Sequence, residues 1–280
     1  MSRLPLTTLT ALALAIGFSP LASAEDEDED SRKTLSAGVR AGAWFNGLSA
    51  KIQVPQDAIP GTKIKLKSDL DLPEYAVAPA VEVFLTSAYV SLYADYFSVK
   101  RTGQTTLDTT LTFAGSSFTA GLPVEAEFEL ESFGVRVEIS PFSFDNFQLG
   151  LLVGARYFNG RGLIRSRLGG VTLEREETFE APVPAVGAAL GLYLGPVELK
   201  IYALGLDVTI QDYDIFYLEF EATAGINFGD HFGIVVGYRG LSIDATETQK
   251  NPAGPAIPEE DKRKLSIAQT GPTLSVRLRF

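Results

Sequence analysis

Residues 265–280 read LSIAQTGPTLSVRLRF, and this stretch decides the fold. Counting back from the end, Phe280, Leu278, Val276, Leu274 and Pro272 share one parity, and Arg279, Arg277, Ser275, Thr273 and Gly271 share the other. Successive side chains of a strand point to opposite faces, so the stretch is an extended strand with one apolar and one polar face. Working back from it, nine more segments alternate in the same way: 35–46, 75–86, 89–100, 124–139, 147–158, 185–194, 197–210, 216–228 and 232–245. The clearest is 216–228, with Phe216, Leu218, Phe220, Ala222, Ala224 and Ile226 set against Tyr217, Glu219, Glu221, Thr223 and Asn227. In 124–139 the apolar phase slips between Leu130 and Phe133, which predicts a β-bulge at Glu131–Ser132.

Composition narrows the class. The 280 residues are 45% hydrophobic and 21% charged, with mean hydropathy +0.11 and a formal charge of −11. Past the start no apolar run is long enough for a transmembrane helix, so any membrane crossing falls to strands, whose averaged hydropathy is mild. With no cysteine, a disulfide scaffold, a thiolate metal site and a lipoprotein anchor are excluded. An acidic body without a basic patch argues against nucleic acid.

Residues 1–24 read as a signal peptide: Arg3, an apolar run over 4–18, and the small-x-small site Ala22-Ser23-Ala24. Residues 25–33 (EDEDEDSRK) read as a disordered acidic tail, because six adjacent carboxylates repel one another and bury nothing. Residues 34–280 are then a single β-barrel domain.

Connections alternate between short ones, at 87–88, 141–146, 195–196 and 229–231, and mostly longer ones, at 47–74, 114–121, 168–170, 211–215 and 246–264. Short turns at one end and long loops at the other are the habit of outer-membrane barrels, with the short end periplasmic. Aromatics cluster by end: Phe142, Phe144, Phe147, Tyr193, Phe228, Phe232 and Phe280 at the short-turn end, and Trp44, Phe45, Tyr96, Phe97, Tyr157, Phe158, Tyr213 and Phe216 at the other. Two rim girdles are the expectation.

The predicted fold is all-β: a closed, antiparallel, up-and-down transmembrane barrel of about ten strands, with eight or twelve also compatible with the alternating loops. In hydrocarbon only a closed barrel pairs every backbone group, so the apolar alternates face lipid. The charged alternates then face the lumen: Arg40, Glu82, Asp95, Arg136, Glu138, Arg156, Glu198, Lys200, Glu219, Glu221, Arg239, Arg277 and Arg279. Six are acidic and seven basic, and buried ions need partners, so they pair into a plug. A soluble lipocalin-like barrel would reverse the two faces.

Residues 35–280 resemble the small Gram-negative outer-membrane β-barrels that are akin in size to the OmpA-type transmembrane barrel. The resemblance is carried by the terminal strand ending at Phe280, by 61–72 (GTKIKLKSDLDL), by 113–121 (FAGSSFTAG) and by 236–239 (VGYR). It implies residence in the cell outer membrane and contact with outer-membrane lipid and lipopolysaccharide. It also implies Phe280 as the signal to the barrel-assembly machinery. It implies no cofactor, and no ligand follows from it. Catalytic, cofactor and metal residues are expected to be none. The lone histidine, His231, falls in a short turn, and Asp207, Asp212 and Asp214 near a loop read as solvated turn acids. The expected function is that of a non-enzymatic barrel with a narrow, side-chain-filled lumen and exposed surface loops. A narrow pore or transporter for small or apolar solutes is the alternative, and an envelope-lipid enzyme a third reading.

Overall fold

The structure is a computed structural model, and it describes residues 35–55, 61–87, 89–144, 146–168, 171–210, 213–247 and 262–280. The signal peptide, the acidic tail and Asp212 lie outside the described residues. Ten long strands form the wall: β1 (Ser36–Gln53), β3 (Tyr75–Thr86), β4 (Val90–Thr106), β7 (Pro123–Ser143), β8 (Phe147–Leu168), β9 (Val171–Leu194), β10 (Val197–Ile210), β11 (Tyr213–Phe228), β12 (Phe232–Glu247) and β13 (Lys264–Arg279). Each pairs antiparallel with its neighbours in that order, and β13 returns to β1 with Gly38 opposite Arg279 and Gln53 opposite Lys264. The ring is closed. At its seam the Phe280 amide donates to the Ala37 carbonyl at 2.8 Å.

The short turns are tight where Gly195 and Gly229 take positive φ of 60° and 67°, a conformation that costs glycine nothing. At the opposite end the strands run on past the apolar belt, and two short elements sit inside the mouth. The first is β2 (Ile64–Lys65) with α1 (Leu66–Leu70). Leu66 and Leu70 are four apart, hence on one face of the helix turn, and both are buried with Ile64 and Leu72. Asp71 ends the helix in the left-handed region at φ 51°. The second is the hairpin β5 (Leu111–Phe113) and β6 (Ser116–Phe118), which buries Leu111, Phe113 and Phe118. Residues 64–72 of the expected 47–74 connection are therefore folded into the lumen mouth, and 47–53 belong to β1. Segment 106–113 does not continue β4, whose pairing stops at Thr106 opposite Pro123.

Orientation follows parity. Leu218 and Val276 are 40% and 44% exposed on the outside, whereas Glu219 and Arg277 are buried inside. Val81, Val83, Leu92, Val135, Leu151, Val153, Val186, Ile201 and Val236 complete an outward apolar belt. On β7 the belt runs from Phe133 to Phe142, about 9 residues, which at ~3.3 Å each and a tilt near 40° spans about 23 Å.

The predicted bulge at Glu131–Ser132 is absent. Register between β4 and β7 is unbroken from Val90–Ile139 to Thr106–Pro123, and the irregularity lies lower, between Ile139 and Phe142 against β8. The apolar residues change face because the surroundings change. Above Ser132 the inward positions Leu130, Phe128, Ala126 and Val124 are buried in an apolar core, while Glu131, Glu129, Glu127 and Glu125 point out. The strand keeps its parity, and the chemistry inside and outside is exchanged.

The expected girdles need a second correction. Phe45, Tyr96, Tyr157 and Phe216 do lie outside, but Trp44, Phe97 and Phe158 are inward and fully buried. Tyr193 also turns inward, where its hydroxyl donates to Gln148 at 2.8 Å.

The seam sets a steric limit. A Cβ on Gly271 would lie 1.9 Å from the Phe45 carbonyl oxygen. Gly271→Val is expected to destabilise the folded barrel by about 1–3 kcal/mol through forced separation of β1 and β13, read as a lowered urea midpoint in detergent.

Candidate functional site

The lower lumen is an ionic lattice built from inward alternates of nine strands. Asp95 on β4 is its hub. Arg156 donates to both of its carboxylate oxygens at 2.9 Å, Arg136 donates at 3.2 Å and Arg239 at 3.2 Å. Glu219 on β11 accepts from Arg156 at 3.0 and 3.1 Å, from Arg239 at 2.7 Å, and from the hydroxyls of Tyr202 at 3.0 Å and Tyr217. Glu82 bonds Arg136 and lies 3.4 Å from Arg40, which reaches Glu221 at 3.0 Å.

Nearer the short turns, Lys200 donates to Glu138 at 2.7 Å and to the Tyr93 hydroxyl at 2.6 Å. Glu198 holds Arg277 at 2.8 Å and Arg279 at 2.7 Å. The thirteen charged residues singled out from the sequence thus all carry an ion pair with another member of the set.

Aromatic rings frame the lattice. Tyr93 and Tyr202 sandwich the Arg136 guanidinium at 4.5 Å each. Arg239 lies 5.3 Å from the Trp44 ring and 5.1 Å from Phe97, and these two rings meet edge to face at 5.2 Å. Cation–π contact suits a planar guanidinium whose edge is already bonded to carboxylates. Glycine makes the room: a Cβ on Gly134 would lie 2.7 Å from the Arg156 guanidinium and 2.8 Å from Asp95.

Trp44, Phe97 and Phe158 begin the apolar upper core. One cation sits within it. Arg101 is buried and, among the described residues, has no carboxylate partner. It donates to the Asn46 carbonyl at 2.9 Å, to the Asn46 side chain, and to the Glu74 carbonyl at 3.4 Å, which ties the inward-folded connection to β1 and β4. Burial pulls its pKa down to about 10. Arg101 has the parity of Asp95, so alternation carried one residue past the predicted strand end would have found it.

Outside the upper wall a cross-strand ladder replaces the belt. Lys100 lies 2.5 Å from Glu129, Arg161 lies 2.9 Å from Glu127 and 2.8 Å from Glu176, and Arg165 lies 2.6 Å from Glu174. Hydrogen bonds from Lys100 and Arg165 hold the carboxyls of Glu129 and Glu174 below the usual range. With folded pKa values depressed, the ladder supports the wall above the pH at which free carboxylates ionise, and that support is lost as pH falls through the folded values. His231 is an exposed turn residue with Nδ1 3.1 Å from the Arg279 carbonyl. Asp207 is exposed and Asp214 accepts from Thr209 at 2.7 Å. Among the described residues no group of three or more metal-binding side chains converges.

Several known proteins have a similar fold. The outer-membrane protease OmpT of Escherichia coli is 10% identical, with 91% of this chain and 99% of that one covered and a TM-score of 0.49. The attachment invasion locus protein Ail of Yersinia pestis is 11% identical over 88% and 99%, TM-score 0.36. The outer-membrane protein AlkL is 12% identical over 92% and 97%, TM-score 0.31. Its sequence matches no family model and no curated protein.

The lattice predicts an asymmetry in mutational cost. Glu219→Leu removes the acceptor shared by Arg156 and Arg239 and is expected to cost roughly 3–5 kcal/mol, because both cations remain buried with less compensation. Lys100→Met on the exposed ladder should leave the urea midpoint nearly unchanged. Urea unfolding in detergent reads both.

Proposed function

We propose that this chain is an integral outer-membrane β-barrel of non-enzymatic type, with a plugged lumen and an outer end that meets lipopolysaccharide and solvent. The ionic lattice is the observation that supports a plug. Salt-bridged guanidinium groups cross-link strands that are not neighbours at the level of the belt, as Arg40 on β1 does to Glu221 on β11. Mobile ions would have to displace partners already desolvated.

The belt supports membrane insertion, since a closed ring of about the required height leaves no backbone group unpaired toward lipid. Phe280, 77% exposed beside that belt, suits recognition by the assembly machinery. The enzymatic reading draws less support, because His231 lies at the short-turn end, away from the outer mouth, with Nδ1 beside the Arg279 carbonyl. The reading as a route for small apolar solutes draws on one feature, a cavity in the upper half.

Two measurements test the proposal. In planar bilayers the purified barrel should give no steady unitary conductance, and sustained open events would contradict the plug. Val236→Arg, outward in the belt, should lower stability in phospholipid vesicles by about 2–4 kcal/mol, whereas Thr246→Arg, five outward positions higher on β12 and opposite Asp214, should change it by about 1 kcal/mol or less. Equal effects at the two positions would contradict insertion at this height.

A further inference from the structure

Above the lattice the wall is not zipped all round. β9 pairs with β10 from Leu194–Val197 up to Val186–Gly205 and, among the described residues, no further. Yet β9 continues beside β8 as far as Val171, and β10 continues beside β11 to Ile210. Residues 171–185 of β9 therefore have a strand neighbour on one side only. Pro182 and Pro184 lie just above the last β9–β10 pair. Proline brings no N–H to a ladder and is at home on an edge, so the sequence itself stops the zipper here. Both prolines stand beside Tyr157 and Ala155 of β8, at the upper margin of the belt. The split opens at the height where the outer leaflet would end.

Behind the split lies a cavity of about 340 Å³, within the range of small-molecule sites. Ile52, Phe113, Phe179, Ala181, Ile215 and Ile243 make its lining mostly apolar. Four charged residues, Glu177, Glu180, Arg263 and Lys264, also line it, and Arg263 pairs with Glu177 at 2.9 Å. Residues of both parities between 177 and 182 contribute, so the cavity sits astride the free edge. Burial agrees: Phe179 and Ala181 are half-buried, whereas Phe158 and Tyr217, inward on neighbouring strands, are fully buried.

We propose that this cavity binds a single acyl chain, which enters sideways from the outer leaflet through the split between β9 and β10. The proposal rests on the membrane reading above. An apolar cavity reached from hydrocarbon selects an apolar, slender ligand, because a polar group would lose its water without gaining a partner.

The test uses the full barrel in nanodiscs with a diazirine-bearing acyl chain, supplied either on a phospholipid or as a free fatty acid. After irradiation, the labelled peptides are mapped by mass spectrometry. The phospholipid-borne chain should label the peptide carrying 177–182, and excess dodecanoate should compete. A Cβ at Gly162 meets nothing nearer than Phe113 at 3.8 Å, so Gly162→Leu can fill the cavity without breaking the wall. Gly162→Leu and, independently, Ala245→Leu should each cut cavity labelling roughly tenfold, a loss of about 1.4 kcal/mol, while belt labelling and heat-dependent gel migration persist. Belt labelling without cavity labelling, or cavity labelling unchanged by both fillings, overturns the site. Cavity labelling by the free acid alone overturns the lateral route. Loss of belt labelling as well would strike instead at the membrane reading.

Discussion

Everything in this barrel depends on guanidinium groups held by carboxylates in a lumen packed with side chains. Asp95 and Glu219 each serve Arg156 and Arg239, and Asp95 serves Arg136 as well. Such pairs add little net stability, because desolvation consumes most of their attraction. Their value lies in specification. An Arg156 displaced by one residue in register would face lipid, and its partners would be left as unpaired buried charges. The lattice therefore fixes strand order, register and facing together.

A second constraint is the exchange of chemistry along each strand. Below the level of Ser132, polar side chains are in and apolar ones out. Above it, Phe128, Leu130 and Val124 are in, and Glu127, Glu129 and Glu131 are out. One alternating sequence can satisfy both regimes because the pleat is indifferent to which face is greasy. The upper half behaves as a water-soluble barrel with its own apolar core, stoppered by Leu66, Leu70 and Phe118. The lower half has its apolar surface outside. The wall parts between β9 and β10 near where these regimes meet, and the cavity lies there.

Much of this was legible in the sequence. The ten alternating segments located all ten wall strands, and the inward parity picked out the members of the lattice. Parity also placed Trp44, Phe97 and Phe158 inside, and clustering by chain end was the wrong guide to their side. The phase slip near Glu131 was real as a pattern. It marked a change of solvent, which a single strand cannot distinguish from a bulge. Pairings between β9 and β10 were not legible, since they depend on where two distant edges diverge, although Pro182 and Pro184 hinted at it. Arg101 was hidden by a strand end placed at Lys100. The buried face of Leu66 and Leu70 was hidden because five residues of helix carry no periodicity of their own.

The chain has one tryptophan, Trp44, facing the lumen, and its neighbour Phe45 faces outward at 43% exposure. Fluorescence quenching by lipids with brominated acyl chains tests the facing rule most directly. In vesicles, Trp44 emission should be almost untouched, whereas a Trp44→Phe, Phe45→Trp double variant should be strongly quenched. Equal quenching of the two, or stronger quenching of Trp44, would contradict an interior of ions and an exterior of hydrocarbon.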